Sequence, residues 1–314
     1  MKLHKLTNKP TLAVVAVLAA VSTFMGGFLW HAQIVDRQPT QSNVSTGAAQ
    51  SHKGYVSVNG LKMFYEIHGT GKPLVLLHGA LSTTDTDFGK VLPALAKTRR
   101  VISIEQQAHG HTADADRPLS YEQMGDDTVA LLEKLNVKNA DFFGYSMGGG
   151  IALQVAMRYP DMVRKLVIMS GVNNNDGYYP EILQGEMNMK PEDLAGSPFQ
   201  KAYAKTAPDP ENWPALIDKV KDLDLNFAGW PPEAIQAIKA PALLIIGDSD
   251  VVRPEHAVQM FRLFEGGEPS DLTQLPDSQL AVLPATTHIT IVSRADWLLP
   301  MIMPFLNAPM PKTE

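Results

Sequence analysis

The sequence predicts an α/β fold with a mainly parallel β-sheet flanked by helices. Short apolar runs alternate with helical patterns over most of the chain, which is the arrangement of successive βαβ units. Several of these runs lack polar alternation, as expected for strands that are covered on both faces. Right-handed crossovers then join the successive parallel strands.

The first predicted element is a β-hairpin. Residues 55–58 and 61–67 have strand patterns, and they flank the dipeptide Asn59-Gly60. This dipeptide favours a two-residue turn because both of its positions accept a positive φ angle. The hairpin therefore marks the beginning of the folded domain, which we place at Gly54.

Strands and helices alternate after the hairpin. Buried strands are expected at 74–77 and 101–104, with a helix over 88–95 between them. Ser120 and Gln123 form a capping-box pattern that opens an amphipathic helix through Leu135. Further strands are expected at 140–143, 166–169, 241–247 and 279–284, and a helix is expected to begin at Pro254.

The most specific motif is the pentapeptide Gly144-Tyr145-Ser146-Met147-Gly148. It lies between the strand pattern at 140–143 and a helical run at 149–159. A strand, a G-x-S-x-G pentapeptide and a helix form the context in which a serine becomes a nucleophile. Small residues are needed at both glycine positions because the strand and the helix pass almost in contact. The alternative is a glycine-rich helix start with an ordinary N-cap serine.

A nucleophilic serine needs a base, and the base needs an acid that orients it. The C-terminal third of the chain supplies both residue types. Asp248 and Asp250 follow the strand pattern at 241–247, and His288 follows the strand pattern at 279–284. These side chains therefore lie on loops at the carboxyl ends of strands, where sites form in open α/β sheets.

Further motifs accompany the serine pentapeptide: Leu76-Leu77-His78-Gly79-Ala80, Ala108-His109-Gly110-His111-Thr112, and Gly247-Asp248-Ser249-Asp250 with Pro254. With these motifs, the stretch from about Gly54 to Leu306 resembles the α/β-hydrolase superfamily. It is most similar to the small esterase, haloperoxidase-like and lipase-like members. Residues 171–240 then correspond to the helical cap that such enzymes insert into the fold.

The resemblance implies a catalytic triad of Ser146, Asp250 and His288, in which Asp250 rather than Asp248 is the acid. It also implies an oxyanion hole formed by the backbone N–H groups of Met147 and Ala80. No cofactor is expected for this chemistry. A serine at the elbow argues against epoxide hydrolase and haloalkane dehalogenase chemistry, because those members of the superfamily have an aspartate there.

Residues 171–240 interrupt the alternation of strands and helices. They contain no clear buried strand and many aromatic residues, and the resemblance implies a helical cap that covers the serine. We expect Tyr178, Trp213 and Trp230 of this cap, and His111 of a core loop, to contact the substrate. Burial in the core of the cap is the alternative for each aromatic ring. Together these side chains predict a small hydrophobic ester-like substrate.

Three classes of function stay open. The favoured class is a serine hydrolase that cleaves carboxylic esters through an acyl-enzyme intermediate. The second is another acyl-enzyme reaction, such as amide or C–C bond hydrolysis or acyl transfer, and the cap pocket decides between the two. The third is a non-catalytic ligand-binding protein, which has no need of Asp250 and His288 together.

Composition excludes several other classes. The formal net charge is −6 and no basic stripe appears, so a nucleic-acid partner has no electrostatic support. The absence of cysteine excludes disulfides, zinc–thiolate sites and thiol catalysis. His109 and His111 lie close together, but no further histidine completes a ligand set, and we expect no metal.

The N-terminus predicts export. Lys2, Lys5 and Lys9 precede an uncharged apolar run from Thr11 to Trp30, which is long enough to span a bilayer and is also compatible with a secretory signal. The basic flank predicts that the catalytic part leaves the cytoplasm, either secreted, periplasmic or anchored to the membrane. The predicted organisation is a signal peptide or membrane anchor over 1–30, a polar linker over 31–53, a hydrolase core over 54–170 and 241–314, and a cap over 171–240.

Overall fold

The computed structural model describes residues 51–272 and 274–311. Eight strands form one sheet with the order β1-β2-β4-β3-β5-β6-β7-β8. The strands are Ser51–Val58 (β1), Leu61–His68 (β2), Lys72–Leu77 (β3), Arg99–Ile104 (β4), Ala140–Tyr145 (β5), Val163–Met169 (β6), Ala242–Ser249 (β7) and Gln279–Thr287 (β8).

The sheet is mainly parallel, as predicted. The strands β1 and β2 pair antiparallel, and so do β2 and β4, whereas all other neighbours are parallel. The first hairpin turns at Asn59 and Gly60, whose φ angles of 48° and 80° explain the choice of these residues. The strand β1 begins at Ser51, slightly ahead of the predicted domain start at Gly54.

Helices flank the sheet and form the insertion. They are Thr84–Phe88 (α1), Leu92–Leu95 (α2), Tyr121–Lys134 (α3), Met147–Arg158 (α4), Pro180–Met187 (α5), Pro198–Thr206 (α6), Trp213–Asn226 (α7), Pro232–Gln236 (α8), Pro254–Leu263 (α9) and Ala295–Asn307 (α10).

One helix prediction was wrong in its extent. The expected single helix over 88–95 is two short helices, α1 and α2. Gly89 caps α1, and Pro93, which lacks an N–H group, lies in the first turn of α2. The predicted start of α3 is confirmed because Ser120 accepts a hydrogen bond from the Gln123 N–H.

Alternate residues of the central strands point to opposite faces of the sheet. Val75 and Leu77 belong to one hydrophobic cluster, and Leu74 and Leu76 belong to the other. All four side chains are fully buried. Helices α3 and α4 cover the first face and α10 covers the second, so both faces of the central strands are shielded from water.

Helix α10 contains Pro300 and Pro304, a residue type that usually interrupts the interior of a helix. Its buried side chains nevertheless follow the helical period along one face, from Leu298 to Leu306. The Lys165 ammonium group of β6 donates to the carbonyl of Phe305 at 2.7 Å, close to the carboxyl end of this helix. A cation at that end is stabilised by the helix dipole.

The insertion between β6 and β7 is helical, as predicted for the cap. It contains α5 to α8 and short 3₁₀ turns. The ring of Tyr121 in α3 packs against Phe227 and Trp230, with ring centroids 4.8 and 5.4 Å apart. The Trp230 N–H also donates to the Asn173 carbonyl at 2.8 Å. These contacts dock the end of the insertion on the core.

None of the helices over 51–272 and 274–311 combines the length and the apolar character needed to cross a membrane. The apolar run that we interpret as a signal or anchor lies outside the described residues.

Backbone segments approach each other very closely at the turn between β5 and α4. A Cβ atom on Gly144 would lie 2.1 Å from the Gly148 carbonyl oxygen. One on Gly148 would lie 2.0 Å from the Leu77 carbonyl oxygen in β3. Both obstacles are backbone atoms, so no side-chain movement relieves the clash.

We therefore expect Gly148→Ala to lower the free energy of unfolding by about 3 kcal/mol, at the upper end of overpacking costs. The control is Gly125→Ala in α3, where the nearest atom to the new methyl group is 3.5 Å away. That change should leave stability unchanged or raise it by up to about 1 kcal/mol, since alanine favours helix. Urea unfolding of both variants measures the difference, and equal stabilities would contradict the close contact.

Candidate active site

Ser146 occupies a strained backbone position between β5 and α4. Its φ and ψ angles are 51° and −118°, a region that residues other than glycine seldom adopt. The serine is half-buried, although the residues on either side of it are buried. The turn therefore directs the hydroxyl away from the core.

Three polar side chains from separate loops meet at this position. Nε2 of His288 lies 3.1 Å from Oγ of Ser146, and Nδ1 of His288 lies 2.8 Å from Oδ1 of Asp250. Ser146 follows β5, Asp250 follows β7, and His288 follows β8. Because these strands are parallel, their carboxyl ends place the three side chains at one edge of the sheet.

The carboxylate of Asp250 is buried and fully engaged. Oδ2 accepts from the Ser170 hydroxyl at 2.6 Å and from the Gly247 N–H at 3.2 Å, and Oδ1 accepts from the Val252 N–H at 3.1 Å. Burial acts to raise the pKa of Asp250, but the His288 imidazole and these donors outweigh it and hold the pKa below its usual value. The group is therefore an ionised acceptor at neutral pH.

Asp248 has a different environment. It is exposed, and its two oxygens accept from the N–H groups of Ala285 and Thr286 at 3.0 and 3.2 Å. These backbone hydrogen bonds, first that of Ala285, lower the pKa of Asp248. Asp248 thus fixes the end of β8 that leads to His288, whereas Asp250 contacts the imidazole itself.

Two backbone N–H groups near Ser146 are free to bind an anion. In the described part of the chain, neither Ala80 nor Met147 donates a backbone hydrogen bond. By contrast, the N–H of Gly79 donates to Oδ2 of Asp87 at 2.8 Å, and that of Leu81 donates to Nε2 of His109 at 3.1 Å. The predicted pair of donors is therefore the pair that the surrounding side chains leave unoccupied.

His78 and His109 form hydrogen bonds with the backbone of neighbouring loops. Nε2 of His78 accepts from the Gln106 N–H at 3.1 Å, and Nδ1 of His109 lies 2.8 Å from the Gln107 carbonyl oxygen. Burial lowers the pKa of each imidazole to about 4. Since both ring nitrogens of His109 are engaged by the backbone, this residue has no nitrogen left for a metal ion.

Two of the predicted substrate contacts are not brought to the serine. His111 stacks on the ring of Phe64 and lies 2.8 Å from Glu105, and this hydrogen bond raises its pKa. It contacts no residue of the serine site among the interactions described. Trp213 is only 4 % exposed and packs on Tyr203 in the core of the cap. Both side chains pack against local neighbours, and the residue type alone does not predict these contacts.

The other two predicted contacts, Tyr178 and Trp230, lie where the insertion meets the core. Tyr178 is half-buried and pairs by a backbone bridge with Val252, two residues after Asp250. Burial, followed by the nearby carboxylates of Asp224, Glu186 and Asp250, raises its pKa well above 10. Trp230 lies at the junction of the cap and the core, against Tyr121.

Sequence reasoning missed several residues around the serine. Ser170 donates to Asp250, and the Tyr145 hydroxyl donates to the His288 carbonyl at 2.9 Å. Ser170 follows β6 with a φ angle of 53°, and its place at a strand end was the signal available in the sequence. The sequence contains no comparable signal for the cap acids Glu186 and Asp224. They lie on two different helices, α5 and α7, and only the packing of the cap brings them together.

Glu186 and Asp224 are paired in the cap. They line a cavity of about 210 Å³ together with other residues of the insertion. Burial raises the pKa of both carboxyls, and the proximity of Glu186 raises that of Asp224 further. The remaining residues that line the cavity are Asn175, Leu183, Met187, Lys221 and Leu225.

Comparison with known proteins agrees with this fold. The family model for the alpha/beta hydrolase fold matches residues 72–210. The human serine hydrolase BPHL is 31% identical over 214 residues, which cover 63% of this chain and 70% of that protein. A 2-hydroxymuconate semialdehyde hydrolase from a Pseudomonas species is 29% identical over 208 residues, covering 59% of this chain and 73% of that protein.

Solved structures show the same fold. A meta-cleavage product hydrolase from Pseudomonas fluorescens superposes with a TM-score of 0.63 at 18% identity, covering 81% of this chain and 97% of that structure. The chain belongs to the alpha/beta-hydrolase family. The two relatives named above are hydrolases, and one is named for a small-molecule substrate, which supports a hydrolytic enzyme acting on a small molecule.

Proposed function

We propose that the protein is a serine hydrolase that cleaves carboxylic ester bonds through an acyl-enzyme intermediate. The observation that carries the proposal is the continuous hydrogen-bonded chain from Ser146 Oγ through His288 to the ionised Asp250. A binding protein has no need of this chain, because its groups serve to move a proton from a hydroxyl.

Each residue has one role in the proposed reaction. His288 takes the proton as Ser146 attacks the carbonyl carbon, and Asp250 orients the imidazole and stabilises its protonated form. The N–H groups of Met147 and Ala80 bind the oxyanion, and each contributes about 3 kcal/mol by analogy with measured oxyanion donors. His288 then returns the proton to the leaving alcohol, and an attacking water releases the acyl group.

The cap supports a small substrate of mixed character. Tyr178 offers aromatic surface beside the loop of Asp250, and Trp230 offers it at the junction of the cap and the core. The carboxyl pair of Glu186 and Asp224 makes one part of the cap cavity polar. A substrate with a polar group beside its apolar part fits this lining better than a purely hydrophobic one. A panel of p-nitrophenyl esters of graded acyl length measures the apolar contribution directly.

C–C bond hydrolysis is the second candidate. The names of two similar proteins favour it, namely a 2-hydroxymuconate semialdehyde hydrolase and a meta-cleavage product hydrolase. The same serine chain serves both reactions, so the distinction requires substrates of both kinds. Turnover of a vinylogous diketone at a rate above that of every ester tested would favour this candidate over ester hydrolysis.

We also propose that the catalytic domain is exported. The three lysines and the uncharged run between Thr11 and Trp30 support a secretory signal or an uncleaved membrane anchor. The polar linker that follows separates this segment from the hairpin that begins the domain.

Ser146→Ala is expected to abolish nearly all ester hydrolysis while the protein stays folded. Loss of a nucleophile lowers kcat by several orders of magnitude, to about the level of catalysis by the oxyanion hole and binding alone. Initial rates with p-nitrophenyl acetate and labelling with a fluorophosphonate probe measure this. Circular dichroism controls for folding, and activity within about tenfold of the parent protein would contradict the proposal.

Asp250→Asn is expected to lower kcat about 10⁴-fold, because an amide at the acid position of a serine triad favours the wrong tautomer of the histidine. Asp248→Asn is the matched control, since it lies two residues away and keeps an oxygen that can accept from one of its two N–H donors. We expect that control to cost about tenfold or less. Steady-state kinetics of both variants decide, and the reverse order would identify Asp248 as the acid.

Full-length protein with a C-terminal tag is expected in the membrane or exported fraction. A variant with Lys2, Lys5 and Lys9 replaced by Glu is the matched control, and it should impair export because orientation depends on the basic flank. Fractionation followed by N-terminal sequencing distinguishes a cleaved signal from an anchor. Protein found only in the cytoplasmic fraction, with an intact N-terminus, would refute export.

A further inference from the structure

The peptide unit between Gly79 and Ala80 carries the free N–H of Ala80, and hydrogen bonding at its carbonyl oxygen fixes it. The carbonyl of this unit is that of Gly79, and it lies 2.7 Å from Nδ1 of His78 and 2.9 Å from Oγ of Ser82. Because a trans peptide is planar, the direction of the carbonyl also sets the direction of the N–H group. The contacts that hold this carbonyl and the adjacent Gly79 N–H therefore set the direction of the Ala80 N–H.

Asp87 of α1 holds this loop at two points. Its Oδ2 atom accepts from the Gly79 N–H at 2.8 Å, and the same oxygen forms a short hydrogen bond with the Ser82 hydroxyl. Oδ1 accepts from Thr86 at 3.3 Å. The carboxylate thus holds the peptide next to that of Ala80 through the Gly79 N–H, and it fixes Ser82 in the same loop. Because the single hydrogen of the Ser82 hydroxyl is directed to the carboxylate, His78 is the donor to the Gly79 carbonyl.

The position of Asp87 is energetically unfavourable for a charge. The side chain is 4 % exposed, and within the described residues no lysine or arginine forms an ion pair with it. Burial raises its pKa to about 6, against the opposing effect of the donors. An ionised carboxylate accepts stronger hydrogen bonds than a neutral acceptor does. Here the donors are the Gly79 N–H and the Ser82 hydroxyl, both in the loop after β3.

We propose that Asp87 is a positioning residue for the hydrolytic reaction, and that it aims the Ala80 N–H at the developing oxyanion through Gly79 and Ser82. The proposal rests on the proposed function. It predicts a specific kinetic signature, because an oxyanion donor acts in the transition state and contributes little to binding of the ground state.

The first test compares Asp87→Ala, Asp87→Asn and the control Asp85→Asn. Asp85 lies in the same helix and is exposed, and no hydrogen bond of its side chain is recorded among the described residues. Displacement of a catalytic group costs up to about 100-fold. We therefore expect kcat for p-nitrophenyl acetate to fall about 100-fold in Asp87→Ala and about tenfold in Asp87→Asn, which keeps an acceptor oxygen. KM should stay within about threefold, and Asp85→Asn should match the parent protein.

The second test does not depend on any substrate. Hydrogen–deuterium exchange over residues 78–82 should be faster in Asp87→Ala than in Asp85→Asn, because the Gly79 N–H loses its acceptor. If the parent protein hydrolyses no ester, the proposed function fails, whereas the exchange rates still show whether Asp87 holds the loop. Circular dichroism and thermal unfolding identify a variant that does not fold, in which case Asp87→Asn alone supplies both measurements.

Several outcomes would overturn the proposal. One is a kcat of Asp87→Asn and Asp87→Ala equal to that of Asp85→Asn. Another is a loss that appears in KM rather than kcat, since that indicates disturbed substrate binding. A third is unchanged exchange over residues 78–82, which shows that other contacts hold the loop.

Discussion

The close approach of β5, α4 and β3 at the serine turn is the constraint on which the site depends. Gly144 and Gly148 contact backbone atoms, so the chain reverses direction within a few residues. This reversal forces Ser146 into its strained conformation and directs the hydroxyl outward. The same approach brings the loop after β3, with Ala80, beside the start of α4, and the free N–H groups of Ala80 and Met147 result from it.

The parallel sheet brings the remaining groups together. Loops after β3, β5, β7 and β8 all leave the sheet at one edge, and each carries one part of the site. Further hydrogen bonds then fix each loop. Ser170 donates to Asp250, and His109 accepts from the Leu81 N–H. Asp248 accepts from the end of β8, just before His288.

Local patterns predicted the strands, the hairpin at Asn59-Gly60 and the loops of Ser146, Asp250 and His288, because each depends on residues adjacent in sequence. Partners distant in sequence were not predictable in the same way. Whether Trp213 faces a pocket or the cap core depends on how the helices of the insertion pack. The apolar pattern over 88–95 predicted one helix, but Gly89 caps α1 and Pro93 lies in the first turn of α2, so the segment forms two.

The insertion begins after β6 and ends before β7, which are neighbouring strands of the sheet. Its entry and exit points are therefore close in space. Its first residues contact the site, because Ser170 donates to Asp250 and Tyr178 pairs with Val252, whereas in the described chain the helices α5 to α8 form no hydrogen bond with Ser146, His288 or Asp250. Such an element tolerates replacement or change of length much as a surface loop does. These helices of the cap can thus diverge, or be exchanged in the laboratory, while Ser146, His288 and Asp250 keep their geometry.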